Sequence, residues 1–209
     1  MGEYSFVYYK KDSKKLLEFA KNNHKNINKI IRSCFDIDYR DNCCWLLEDD
    51  LFCLMEDGKI IAIAQVGDKT VAKYDKEVEK YKLITSNQKN KIRVTLFPYI
   101  GSLCRKSNPR YKGVGKLLLS KIEDYYSKEG QNRIYIAPES NRYKIYGKND
   151  CGVEIEKEKY LKSQKKLHKY YQNFGFKQLK HHFEIANCSD YELSSTGPFV
   201  FYPIFYKDI

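Results

Sequence analysis

Ile100-Gly101-Ser102-Leu103-Cys104-Arg105, followed after Lys106-Ser107-Asn108-Pro109 by Arg110-Tyr111-Lys112-Gly113-Val114-Gly115-Lys116, reads as a strand running into a glycine turn at the start of a helix. The strand is Tyr99 to Arg105. The helix shows itself in Val114, Leu117, Leu118, Ile122 and Tyr125, which fall on one face at helical spacing. A glycine turn at a helix N-terminus is an anion cradle, because backbone amides without acceptors and the positive end of the helix dipole converge there. Between Arg105 and Lys121 there are six basic residues (105, 106, 110, 112, 116 and 121) and no carboxylate, so the local field favours a phosphate-bearing ligand. The pattern is neither a GxxxxGK[ST] phosphate loop nor the GxGxxG of a dinucleotide fold. The turn alone equally fits a tight connection edged with solvated lysines.

Working outward, Leu51 to Glu56 and Lys59 to Val66 are β-prone runs joined by Asp57-Gly58, the turn pair of a two-residue hairpin. Tyr4 to Tyr9 predicts a first strand. Helices are expected near Ser13 to Asn22, with Ser13 as N-cap, and near Asn26 to Cys34. Arg93 to Arg105 is β-rich, with Pro98 marking a bulge. Arg133 to Ala137 is a strand that stops at Pro138. A helix over Glu156 to Asn173 carries the stripe Leu161, Gln164, Leu167, Tyr171 and Phe174, and Gly175 closes it. Strands Phe176 to Ile185 and Phe199 to Tyr206 complete the chain. Two polar stretches, 67–91 and 141–159, read as insertions in a single domain covering 1–209.

The 209 residues are 42% hydrophobic, 31% charged and 15% aromatic, a composition that folds rather than stays disordered. The formal charge of +11 predicts attraction to polyanions. Only seven of the 38 basic residues are arginine, and no strand carries paired surface aromatics, so the excess argues weakly for nucleic acid. Seven cysteines without CxxC spacing read as buried thiols in a reducing cytoplasmic setting. The longest apolar run, Ile60 to Ala64, is too short to span a bilayer, and the start lacks the order of a signal peptide, so neither membrane nor secretion is expected. Cys151, His168, His181, His182 and Cys188 offer no pair with zinc-ligand spacing, and no metal is expected.

Arg110-x-x-Gly113-x-Gly115 after its strand resembles the acetyl-CoA signature of the GNAT superfamily of N-acyltransferases. Downstream, Tyr171-Gln172-Asn173-Phe174-Gly175-Phe176 is similar to the family's Tyr-x-x-x-Gly-Phe. With the hairpin, the resemblance covers roughly residues 45 to 185. It implies an α/β (α+β) fold with a mixed, centrally splayed sheet of about six to seven strands and helices on both faces. It further implies acetyl-CoA as co-substrate, with the backbone of Leu103, Cys104 and Arg105 pairing the pantetheine arm. The amides of Arg110, Tyr111, Lys112, Gly113, Val114, Gly115 and Lys116 would hold the pyrophosphate, and a Cβ at Gly113 or Gly115 would crowd it or strain φ. Tyr111 departs from the family, which often has glycine there. The family's co-substrate-binding asparagine is Gln164 here, with Asn141 as a substitute, so either is expected to contact acetyl-CoA.

The implied activity is acetyl transfer to a primary amine, of a small molecule, polyamine or protein, by direct attack. Such an amine is protonated at neutral pH, and freeing it costs roughly 4.6 kcal/mol unless a base takes the proton. The fourth strand, where relatives often carry a glutamate, has no carboxylate. Glu139 and Glu184 are the nearest candidate bases by position, and an ordered water would serve equally. Tyr171 occupies the place of the general acid that meets the leaving thiolate. Against that, Tyr171 could simply be an aromatic in a buried stripe. Cys104 lacks a neighbouring base for a ping-pong route. The acidic cluster Glu48, Asp49, Asp50, Glu56 and Asp57 reads as a solvated face that could attract a cationic acceptor. Alternative readings are a CoA-binding scaffold without turnover and a basic nucleic-acid-binding module.

Overall fold

Asp57 (φ 50°) and Gly58 (φ 71°) both lie in the left-handed region, the geometry of a type I′ connection whose twist matches its strands. The expected hairpin is therefore present. β2 (Asp50–Glu56) and β3 (Lys59–Tyr74) pair antiparallel from Glu56↔Lys59 to Asp50↔Val66, with a bulge between Leu54 and Met55. β1 (Tyr4–Tyr9) adds antiparallel to the other edge of β2, from Tyr4↔Glu56 to Tyr9↔Leu51.

The computed structural model describes residues 3–35, 47–74, 91–138, 157–187 and 199–209. The remaining elements are α1 (Lys14–Phe35), β4 (Lys91–Arg105), a 3-10 turn (Pro109–Tyr111), α2 (Val114–Lys128), β5 (Arg133–Ile136), α3 (Lys157–Gln172), β6 (Lys177–Asn187) and β7 (Phe199–Asp208). Among the described residues, seven strands join one sheet in the order β1-β2-β3-β4-β5-β7-β6. Neighbouring β4 and β5 are connected through α2, and a helical crossover makes such a pair parallel, so the sheet is mixed as expected.

By its contacts the chain divides into two compact units, Met1–Asp68 with Phe97–Ile134 and Ile209, and Lys69–Leu96 with Tyr135–Asp208. In the first, consecutive residues of β2 face opposite ways. Leu51 and Cys53 pack with Leu16, Ala20, Ile27, Ile30 and Ile31 of α1. Phe52, between them, meets Tyr125 and Tyr126 of α2 at ring-centroid distances of 5.3 and 5.8 Å. Helices thus cover both faces of this part of the sheet. In the second unit β6 and β7 pair antiparallel from Lys177↔Tyr206 to Asn187↔Phe199, and β6 also meets the end of β3 at Ala72↔Phe183 and Lys73↔His182.

Four local expectations need correction. The two early helices are one, capped as expected by the Ser13 hydroxyl, which accepts from Leu16 N at 3.1 Å. Its polar middle is tolerated because Asn23 and His24 bond back to the carbonyls of Phe19 and Lys21 (each 3.0 Å), while the apolar stripe on either side is buried. β3 continues past Val66 to Tyr74, so the first polar stretch begins as strand; its residues 75–90 lie outside the described ones. β4 runs unbroken through Pro98. The buried faces are also rotated: α2 buries Val114, Leu118, Leu119, Ile122 and Tyr126, and α3 buries Gln164, His168 and Tyr171, with Leu117, Tyr125 and Leu167 only half-buried.

Candidate functional site

The sequence Asn108-Pro109-Arg110-Tyr111-Lys112-Gly113 builds a compact loop out of its own hydrogen bonds. The Asn108 side chain accepts from Arg110 N, the Asn108 carbonyl from Tyr111 N, and the Pro109 carbonyl from Lys112 N, each at 3.0 Å. The Gly113 carbonyl accepts from Lys116 N and Leu117 N at 3.0 and 3.1 Å. Four of the seven amides expected to hold pyrophosphate are therefore engaged within the turn. Those of Gly113, Val114 and Gly115 open α2, where helix geometry supplies no intrahelical acceptor. Gly113 is the N-cap at φ 91°, a conformation that disfavours any side chain, and a Cβ built on it meets nothing within 4 Å. The space above this glycine is open, and with Lys112 and Lys116 exposed beside it the residues fit a phosphate group. Gly115 lies in ordinary helical backbone, so its φ does not demand glycine.

Arg110 does not project into this space as a lone cation. Its guanidinium forms an ion pair with Glu56 and lies 4.6 Å from the Tyr111 ring centroid. The Tyr111 hydroxyl donates to the same Glu56 carboxylate at 3.0 Å, and Lys106 Nζ lies over the Tyr111 ring, 5.9 Å from its centroid. Tyr111 is 7% exposed, and burial followed by the bond to Glu56 raises its hydroxyl pKa. Tyr111 is thus a packed anchor of the loop.

The last residues of β4 lead straight into this loop. Lys106 N donates to Ile61 O of β3 at 2.9 Å, Arg105 donates to the Lys106 carbonyl at 2.7 Å, and Leu103 is half-buried. Cys104 is 2% exposed, in the apolar cluster under α1 with Cys53. Burial pushes the Cys53 thiol far above its ordinary range. Neither thiol can act as a nucleophile from there. Iodoacetamide should leave Cys53 and Cys104 unmodified in the folded protein and label both in denaturant, as peptide mass mapping would show.

The acidic cluster is not a solvated face. Asp50 accepts from the hydroxyls of Tyr8 (3.2 Å) and Tyr126 (3.3 Å) and from Lys11 N (2.8 Å). Burial, reinforced by the Asp50 charge, raises both tyrosine pKa values. Glu56 holds the loop, and a Cβ on Gly67 would collide with the Asp49 carboxylate. Only Glu48 and Asp57 are exposed.

In the second unit, α3 ends in a Schellman motif. Phe176 N donates to Tyr171 O at 3.2 Å and Gly175 N to Gln172 O at 3.0 Å, with Gly175 at φ 87°. The apolar contact that accompanies this cap is Tyr171 against Phe176, centroids 5.7 Å apart. Tyr-x-x-x-Gly-Phe is, in this chain, the sequence of a helix stop. Gln164 is fully buried; its amide nitrogen donates to the carbonyl of Pro138, just past β5, and lies 3.0 Å from His168 Nε2. His168, missed as a core residue, rests its ring 4.9 Å from Phe205. Glu184 sits in β6 opposite Tyr202, while Glu139 and Asn141 lie outside the described residues. In the β6 irregularity between Gln178 and Phe183, His181 adopts φ 62°, and its buried Nδ1 has no hydrogen-bond partner among the described residues.

Among the described residues no cluster of potential metal ligands occurs, and no helix is long and apolar enough to cross a membrane. Neither the family models nor the curated proteins yield a match to the chain. Among solved structures the chain is similar to a GNAT-family acetyltransferase from Staphylococcus aureus Mu50, with 13% identity, 99% of each chain covered and a TM-score of 0.45. It is also similar to Escherichia coli ElaA (16%, 100% of each chain, 0.47). A third is an aminoglycoside 6′-N-acetyltransferase from Enterococcus faecium (10%, 98% of this chain and 96% of that one, 0.48).

Proposed function

We propose that the chain is an acetyl-CoA-dependent N-acetyltransferase that transfers acetyl to a primary amine by direct attack. The observation that carries this reading is the loop after β4: three helix-opening amides around Gly113, an open space above that glycine, and lysines on either side. In this reading the amides of Gly113 to Gly115 bind pyrophosphate and the backbone of Leu103, Cys104 and Arg105 accompanies the pantetheine arm. Tyr171 donates a hydrogen bond to the departing thiolate. A tyrosine near pKa 10 gives its proton to a thiolate whose thiol has a pKa near 8.5 at a cost of roughly 2 kcal/mol, so stabilisation of the thiolate matters more than complete transfer. Glu139 or Glu184 takes the amine proton, directly or through water. Gln164 supports the exit of β5 rather than touching the co-substrate.

One observation favours a second reading, a CoA-binding scaffold without turnover. The Gly-Phe after Tyr171 is accounted for by the helix cap, so it adds nothing to the case for an acid, and β4 carries no carboxylate.

Thiol release from acetyl-CoA, measured against pools of polyamines, aminoglycosides, amino sugars, amino acids and basic peptides, separates the two. Transfer to one pool identifies the acceptor class; saturable CoA binding with no release from any pool leaves the scaffold. Against the active pool, Tyr171→Phe is expected to lower kcat about 10- to 100-fold. It keeps the ring against Phe176, so stability should change by no more than about 1 kcal/mol. An unchanged kcat would remove the acid role.

A further inference from the structure

We propose that Glu56 is the positioning residue of the nucleotide-binding loop, fixing the path of Arg110 and Tyr111 so that the next three amides face a pyrophosphate. The inference rests on the acetyl-CoA reading and deepens it. Nothing local in the sequence announces this role, since Glu56 stands 54 residues before Arg110. Its carboxylate accepts from both Arg110 Nη2 and Tyr111 Oη, and its side chain is only 11% exposed. The anchor is itself rigid. Glu56 pairs with Tyr4 of β1 and with Lys59 of β3, at the mouth of the type I′ turn.

Arg110 and Tyr111 are held from a second direction as well, by the guanidinium stacked on the ring and by the turn bonds to Asn108. Only Lys112 separates this clamped pair from the N-cap Gly113. A shift of Tyr111 therefore passes directly to the amides that open α2. The charge balance agrees with a mechanical role. Glu56 neutralises Arg110 and raises its pKa further, which leaves phosphate attraction to the helix amides and to Lys112 and Lys116. Arginine is suited to this tether because its planar fork can pair with the carboxylate while its face covers the ring.

The test combines a readout without ligand and one with CoA, on wild type, Glu56→Ala, Glu56→Gln and Tyr111→Phe. Without ligand, Glu56→Ala should speed exchange of the hydrogen-bonded loop amides Tyr111, Lys112, Lys116 and Leu117 and leave the β6 and β7 amides unchanged. With ligand, the dissociation constant for CoA and KM for acetyl-CoA should rise together by about tenfold, with kcat within about twofold, the signature of lost ground-state positioning. Glu56→Gln keeps an acceptor for Tyr111 and should recover part of both effects. If Glu56→Ala does not fold, Glu56→Gln and Tyr111→Phe, each removing one arm of the clamp, carry the same readouts at smaller amplitude. Unchanged exchange at Tyr111, Lys112, Lys116 and Leu117 in the folded variants overturns the proposal whatever the ligand does. Absence of saturable CoA binding by wild type overturns the acetyl-CoA reading instead, and with it the ligand assigned to the loop, while the exchange result still decides whether Glu56 sets its shape.

Discussion

Gly113→Ala is expected to lower the thermal midpoint by about 2–8 °C and to weaken CoA binding about 10- to 100-fold. The first effect follows from φ 91°, which an L side chain reaches at a cost of about 1–2 kcal/mol, in a chain of a size where each kcal/mol moves the midpoint a few degrees. No steric cost adds to it, because the new methyl would meet no protein atom within 4 Å. The second effect follows from that same emptiness. A methyl in the open space would displace an anion from at least one charge-assisted hydrogen bond, worth about 1.5–3 kcal/mol. Asparagine separates the two, since it tolerates left-handed backbone. Gly113→Asn should regain most of the midpoint and none of the affinity. Recovery of both by differential scanning and titration calorimetry would mean that the glycine serves the backbone alone and that the ligand sits elsewhere.

Gln164→Ala should cost about 3 kcal/mol and lower the midpoint by about 6–12 °C. The variant leaves a cavity where a fully buried side chain stood, and it strips partners from the Pro138 carbonyl and the His168 ring. KM for acetyl-CoA should stay within about twofold in the fraction that remains folded. A large rise in KM with an unchanged midpoint would restore Gln164 to the ligand-binding role its sequence position suggests. Gln164→Met, which fills the volume without a donor, should recover the cavity part of the loss and leave the polar part.

The features legible in the sequence are those whose cause lies within a few residues. Asp57-Gly58 specifies its turn through two positive φ angles, Ser13 caps the amide three positions on, and Gly175 ends its helix with a left-handed residue. The strand, turn and helix around Gly113 were legible for the same reason. The residues read least well are those whose partners are distant. Glu56 and Asp50 look like surface acids until strands and helices bring Arg110, Tyr111, Tyr8 and Tyr126 to them. The end of β3 looks polar and loop-like, yet it finds Phe183 and His182 of β6, more than a hundred residues later. The stretch from Asn22 to Asn26 looks like a break because Asn22, Asn23, His24 and Asn26 are weak helix formers, whereas buried Leu16, Ala20, Ile27 and Ile30 keep α1 continuous across it.

The cap at Gly175 bears on how much a short motif can say. A tyrosine four residues before the capping glycine and a phenylalanine just after it would be selected wherever a helix must stop cleanly and fold its next strand back, whether or not any bond is made or broken nearby. Of the two motifs, the tyrosine one therefore speaks first about architecture, and the proposed ligand rests on the glycine loop alone. A homologue that kept Gly175 and Phe176 but carried leucine at Tyr171 would preserve the stop while giving up the hydroxyl. Under the proposed role of Tyr171, such a homologue is expected to bind CoA equally well and to turn over about 10- to 100-fold more slowly.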